Sequence, residues 1–371
     1  MRFLLTADLH CQNQPAWKLE YYRKLLREIV MVAREQNCDA VVCAGDLWHE
    51  KHGVNAELLQ MVYFELDRSA DMGIPWVLLR GNHEIAMKSK PHDSLLALFA
   101  GISTVVMKPR ALRWSDCTMY LLPWYLGDTF KDYAKRMAQA TVGDTQKKKI
   151  LIGHIGLNEG FVSPSNCYRV PQRVSLANLH PECYNLVFLG DYHTTQTLGD
   201  RTMYAGSPIA HQFGDASDQG VWLLDTGGPE LRISNLKLSG SYPVYKAIKI
   251  PQGFGVPTLK AKHHVYRLQV HIEDFPKVKH LLANDTVDIE TYGERKVDAT
   301  ARRLENIKPE DPIALFRALL DHKDIQDPLY RDIGEHAIKR AKGELYGKEE
   351  QIAGSRVKVP REKRNYPQPN S

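Results

Sequence analysis

Residues 186–196 read LVFLGDYHTTQ. A short apolar run ends in a Gly-Asp pair, and a histidine follows two places after the aspartate. The run is rich in Val, Leu and Phe and too short for a typical helix, which predicts a strand buried on both faces. The carboxylate and the imidazole then fall on the loop at its C-terminal end. The same pattern recurs along the chain. RFLLTADLH (2–10) ends in Asp8-Leu9-His10, DAVVCAGDLWH (39–49) in Gly45-Asp46 and then His49, IPWVLLRGNHE (74–84) in Gly81-Asn82-His83-Glu84, and KILIGHIG (149–156) in Gly153-His154. Alone, each of these is best read as a polar turn. Together, in this order and each at a strand end, they point to a site.

Between the first two runs, Leu19, Tyr22, Leu26, Ile29 and Ala33 fall at three- and four-residue spacing and predict an amphipathic helix over 17–37. A second helix is predicted from about Ala56 to Ala70. Strand, helix, strand, helix, strand implies an α/β layered domain with parallel strands. Polar groups at the C-terminal ends of neighbouring strands meet along one sheet edge, where α/β proteins build their sites. The residues gathered there are Asp, His and Asn, all able to offer oxygen or imidazole nitrogen to a divalent cation. The set is too large for one tetrahedral zinc. It suits two ions roughly 3.5–4 Å apart sharing a carboxylate, the arrangement that attacks phosphoesters.

Composition constrains the reading further. The 371 residues are 43% hydrophobic and 25% charged, as in ordinary globular proteins. The formal charge of +5 permits an anionic partner without demanding one. No apolar run is long enough to cross a bilayer and the N-terminus shows no secretory signal, so a cytoplasmic location is expected (that of the host if the protein is a phage's). Cys11, Cys38, Cys43, Cys117, Cys167 and Cys183 form no CxxC pair, which fits a reduced compartment.

The motifs Asp8-x-His10, Gly45-Asp46, Gly81-Asn82-His83-Glu84, Gly153-His154 and Gly190-x-x-His193 resemble the five motifs of the calcineurin-like metallophosphoesterases. GDLWH (45–49) and YAGSPIAHQFGD (204–215) resemble the DNA-repair branch of that family, the SbcD-type nuclease subunits of bacteria and phages and their archaeal and eukaryotic counterparts. The resemblance spans roughly residues 1–225. It implies two packed β-sheets flanked by helices (αββα), with metals at the loop ends. Asp8, His10, Asp46 and His193 would hold the first metal. Asp46 would bridge, and Asn82, His154 and residue 191 would complete the second. His83 would sit over the scissile phosphate and protonate the leaving oxygen or stabilise its charge, and His49 would help orient the phosphate for exonuclease cutting. The expected metals are two divalent ions, manganese first and magnesium second.

One position departs from the family pattern. Where the family writes Gly-His-x-His, this chain writes Gly190-Asp191-Tyr192-His193. Two readings stand: an impaired second site, or a ligand swap in which Asp191 offers oxygen to a hard cation. Tyr192 is expected to pack beside the metals. The other histidines, His211 among them, are assigned to surface or core packing.

Trp222 to Asp225 predicts the last strand of the catalytic domain, followed by a turn at TGGPE (226–230). KLSGSYPVY (237–245) and IPQGFGVPT (250–258) read as linker or loop, HHVYRLQVHI (263–272) as a strand and DPIALFRALLDH (311–322) as a helix. The expected organisation is a nuclease domain over 1–240, a smaller α/β capping domain over 241–334 that would orient DNA, and a basic helix and tail over 335–371. From Lys339 to Arg364 there are nine Lys and Arg against four Glu. That tail is either solvated, or bound to phosphates, or folded onto a partner. The resemblance implies an SbcC-like ABC-type ATPase as partner, and a homodimer. No Walker motif occurs in this chain.

Three functions are weighed. The first is a metal-dependent DNA exonuclease and endonuclease in an SbcCD-like repair or recombination complex. The second is a metallophosphoesterase of small phosphodiesters or phosphoproteins, and the third a scaffold that has lost its metals. The GDLWH and YAGSP stretches favour the first over the second, and the retained ligand set disfavours the third.

Overall fold

The computed structural model describes residues 1–50, 54–85, 94–161, 173–215, 220–240, 242–259, 264–283 and 286–292. The chain divides into two compact units, Met1–Tyr292 and Gly293–Ser371. The second lies outside the described residues, and with it the expected helix at 311–322 and the basic helix and tail over 335–371.

The first elements are β1 (Arg2–Thr6), α1 (Lys18–Glu35), β2 (Ala40–Cys43), α2 (Ala56–Asp71), β3 (Trp76–Leu79) and β4 (Ser103–Val106). Next come β5 (Arg110–Arg113), β6 (Cys117–Leu122), α3 (Gly127–Ala140), β7 (Lys148–His154), β8 (Leu186–Gly190), β9 (Gln196–Leu198) and β10 (Thr202–Tyr204). Then follow β11 (Gly220–Asp225) and β12 (Arg232–Lys237). β12 pairs antiparallel with β11 across the predicted 226–230 turn, so the sheet runs one strand further than the sequence suggested.

Two six-stranded sheets result, in the orders β12-β11-β1-β2-β3-β4 and β5-β6-β7-β8-β10-β9. Strands β1 to β4 are mutually parallel, as are β6, β7, β8 and β10. Alternate residues of each strand serve different layers. Phe3, Leu5, Val42 and Val77 meet Met119, Leu121, Ile152 and Phe188 between the sheets. Leu4, Val41 and Leu78 pack outward against Leu25, Leu26 and Ile29 of α1 and Leu58, Val62 and Leu66 of α2. Tyr120, Leu151 and Val187 pack against Phe130, Ala134 and Met137 of α3. Strands covered on both faces need continuous apolar runs, which is why the sequence wrote them that way. The predicted apolar stripe of α1, including Leu19, Tyr22, Leu26, Ile29 and Ala33, is buried throughout. α2 starts where the Asn55 side chain accepts the Glu57 N–H, an N-cap worth about 1 kcal/mol.

A third sheet follows, all parallel: β13 (Val244–Lys249), β14 (His264–His271) and β15 (Val287–Tyr292), with the short helix α4 (Phe275–Val278) between the last two. The predicted strand at 263–272 is β14. The stretch 237–245, read as linker, contributes the first residues of β13. Among the described residues no helix is long and apolar enough to cross a membrane.

Candidate metal centre

The motifs sit at the C-terminal ends of β1, β2, β3, β7 and β8. Beyond β1 and β2 the parallel ladder continues into the loops. Ala44 N donates to Thr6 O (2.7 Å), Asp8 N to Gly45 O (3.0 Å) and His10 N to Asp46 O (2.9 Å). These bonds hold Asp8 and His10 against Asp46. The backbone bends sharply there: Asp8 (φ 53°), His10 (φ 46°), Asp46 (φ 54°) and Asp191 (φ 104°) all adopt positive φ. Non-glycine residues held in that region concentrate at functional sites. Gly81 supplies close approach, since a Cβ there would overlap the Asp46 carboxylate.

All nine sequence-predicted residues come together. Asp46 is the hub. Its Oδ1 accepts the His83 backbone N–H (2.9 Å). Its Oδ2 faces His154 Nε2 (3.4 Å), His10 Nε2 (3.7 Å) and His83 Nε2 (3.8 Å). On one side, His10 Nε2 and His193 Nε2 lie 3.0 Å apart beside Asp8. On the other, Asp191 Oδ1 lies 3.7 Å from His154 Nε2 and accepts from Asn82 Nδ2 (3.4 Å). The Asp191 backbone N–H donates to Asp8 Oδ1 (3.1 Å). The triads Asp8/His10/His193, His10/Asp46/His83 and Asp8/Asp46/His154 each keep one ligand atom per residue within 4.8 Å of the others. The His49 ring lies 5.6 Å from that of His10 and 6.0 Å from that of His83.

These residues fit divalent cations. His154 Nδ1 faces Ala44 O at 2.7 Å, a contact in which the ring nitrogen donates and Nε2 is left as the inward-facing atom. That Nε2 and Asn82 Oδ1 are buried without a hydrogen bond among the described residues. The cluster also draws positive charge to itself. Burial opposes charge on His154, yet Asp46, Asp8 and Asp191 together outweigh it and raise the imidazole well above its ordinary value. Burial pushes Asp8 up to about 7 despite His154 and His193. Burial would raise Asp46 too, but His154 and His83 hold it below the usual carboxylate range. Burial and the neighbouring imidazoles of His193 and His211 keep His10 far below its ordinary value, so it offers a lone pair.

Three contributors escaped the sequence reading. Glu84 is buried, and its carboxylate accepts from Gly81 N (2.7 Å), Asp46 N (3.0 Å) and Trp48 N (3.1 Å), joining the loops after β2 and β3. His211, assigned to packing, belongs to the site: its Nε2 lies 2.9 Å from Asp8 O and also meets Ser207 Oγ, while Nδ1 meets the Tyr22 hydroxyl at 3.1 Å. Asp215 Oδ2 accepts the His211 backbone N–H (3.0 Å) and lies 3.4 Å from His193 Nδ1. The signal was the YAGSPIAHQFGD stretch itself, whose histidine follows a turn rather than a buried strand. Tyr192, expected beside the metals, places its ring against Tyr204 (4.8 Å between centroids) and its hydroxyl on Leu157 O (3.1 Å).

The calcineurin-like phosphoesterase family model matches residues 1–195, and the chain belongs to that family. No curated protein matches it. Among solved structures, a dimetal phosphatase from Danio rerio is 13% identical, with 65% of this chain and 99% of that chain covered, at a TM-score of 0.43. The E. coli phosphoesterase YfcE is 12% identical, with 61% and 88% covered, at 0.28. The Pseudomonas putida nuclease MPE is 17% identical, with 63% and 87% covered, at 0.27. Family and cluster together define a metal-dependent phosphoester hydrolase.

When bound, two divalent cations supply Lewis-acid activation of the phosphoester and of the attacking water. The chain itself supplies orientation. His83 is fixed at its backbone by Asp46 and at Nδ1 by His49 O (2.5 Å), so its Nε2 is the atom turned toward the cluster.

Proposed function

We propose that this chain is a metal-dependent DNA exonuclease and endonuclease, the nuclease subunit of an SbcCD-like repair or recombination complex. The observation that carries the reading is the placement of His49. A phosphoester hydrolase needs the ligand set and one proton donor. Here a second imidazole, outside the ligand set, stands beside both His10 and His83. Such a group can re-aim the phosphate of a strand end toward the metals. In this reading Asp8, His10, Asp46 and His193 hold one ion, and Asp46, Asn82, His154 and Asp191 the other. His83 is the general acid. Manganese is the favoured metal, since the donors mix oxygen with imidazole. The partners are DNA, an SbcC-like ATPase and a second copy of the chain, with the basic C-terminal residues as the attachment segment.

The test offers labelled double- and single-stranded DNA, bis-p-nitrophenyl phosphate and a phosphopeptide to the full chain with manganese. DNA cleavage at rates above the small substrates is expected; cleavage of the phosphopeptide alone rejects the reading. His49→Ala should lower exonuclease activity more than nicking of single-stranded circles. Equal losses on both would remove His49 from the assigned role.

A further inference from the structure

A cavity of about 310 Å³ opens beside the Asn82 and Asp191 side of the metal centre. Its wall is the loop after β6, the neighbour of the strand that carries His154, so it lies on the same sheet edge as the ligands. Trp124, Leu126 and Arg173 line it, Arg173 packing beside Gly127. The wall is built rather than incidental. Arg80 is fully buried, its Nη2 donates to Trp124 O (2.6 Å), its backbone O accepts from Trp124 N (2.9 Å), and its guanidinium lies 4.6 Å from the Tyr125 ring centroid. Arg80 immediately precedes Gly81-Asn82. The residue leading into the metal loop therefore fixes the indole-bearing loop as well.

The lining chemistry selects a ligand. Trp124 is half-buried and offers a stacking face. Leu126 is 65% exposed. Arg173 is exposed and close enough to Asp128 to help hold that carboxyl below its ordinary value, after Lys131. Among the described residues Asp191 is the only acidic one in the lining. An indole, an aliphatic wall and an exposed guanidinium suit a planar, uncharged ring attached to an anion. We propose that this cavity receives the nucleobase adjoining the scissile phosphate, stacked on Trp124, while Arg173 contacts the neighbouring backbone phosphate. This rests on the nuclease reading and names the substrate subsite within it.

The experiment is a cycle on the full chain with manganese, using single-stranded tetranucleotides that are intact or carry one abasic position. Removing one particular base should raise KM roughly 5- to 10-fold, the low end for stacking on an aromatic residue. Trp124→Ala should raise KM for the intact substrate by a similar factor and erase the difference between intact and abasic forms. Trp124→Phe should restore most of it. Arg173→Gln should raise KM for both forms alike and flatten the salt dependence. If no abasic position matters, or if Trp124→Ala raises KM equally for both forms, the cavity is not a base site. A wild type that binds the tetranucleotides but cuts none overturns the nuclease reading, and the same cycle read in Kd then decides the subsite. A wild type that neither binds nor cuts them overturns both.

Discussion

Asp191 stands where the family pattern has histidine, and the structure puts its carboxylate within 3.7 Å of His154 Nε2 and against Asn82. An oxygen donor at that position favours a hard cation. Asp191→Ala should therefore weaken the ion on the Asn82 and His154 side and spare the one beside Asp8, His10 and His193. Asp191→Asn should bind less well than wild type, and Asp191→His should bind and shift preference toward metals that favour imidazole. Calorimetric metal titration of the three variants is the check, and two unperturbed sites in Asp191→Ala would make the carboxylate a turn residue only. His83 makes a different prediction. Its backbone and Nδ1 are already engaged, so His83→Ala should keep both ions while DNA cleavage falls by about 10²–10⁴-fold. Loss of metal along with activity would reassign His83 to the ligand set.

The elements were legible to different depths. β1, β2, β3, β7 and β8 announce themselves because strands covered on both faces must be apolar throughout and then turn polar at the loop. β9 and β10, three residues each, carry no such run, and β12 has only exposed and half-buried positions. The proposed ligand residues were readable because each ends or follows its strand in sequence. His211 was not, because its partners, Tyr22 on α1 and Asp8 after β1, are remote in sequence, and Asp215 was not, because it meets His193 from a separate loop. The YAGSP segment is thus a brace, with Asp215 set against His193 Nδ1. Carboxylates behind metal-binding histidines fix ring orientation and basicity. Asp215→Ala should cost about 10–100-fold in affinity at the ion shared by Asp8, His10 and His193. Asp215→Glu should recover part of it, and competition against a chromogenic chelator reads both. Wild-type affinity in Asp215→Ala would leave the brace without a function.

At the scale of the whole molecule, the buried acids tie folding to pH. Burial pushes Asp8 up to about 7 and Glu84 up to about 8, both above their unfolded values. A carboxyl with a raised folded pKa contributes stability that is present below its unfolded pKa and lost as pH rises through the folded one. The contribution of these two carboxyls to the thermal midpoint of chelator-treated protein, read as wild type against Asp8→Asn and Glu84→Gln so that the opposing neutral histidines cancel, should therefore fall between about pH 5 and pH 8. Saturating divalent cation should remove the fall, with protons released on binding. A wild-type-minus-variant difference that stays flat across this range in chelator would contradict the burial argument for these two groups.

Four of the proposed ligands, Asp8, His10, Asp46 and Asp191, hold left-handed backbone that glycine would adopt at less cost. Strain of this kind is worth on the order of 1–3 kcal/mol per residue at its upper range, less for aspartate. Laboratory evolution for thermostability alone, with no demand for hydrolysis, would thus reward glycine or asparagine at these positions first. The hardiest descendants of this protein would be those that had given up its chemistry.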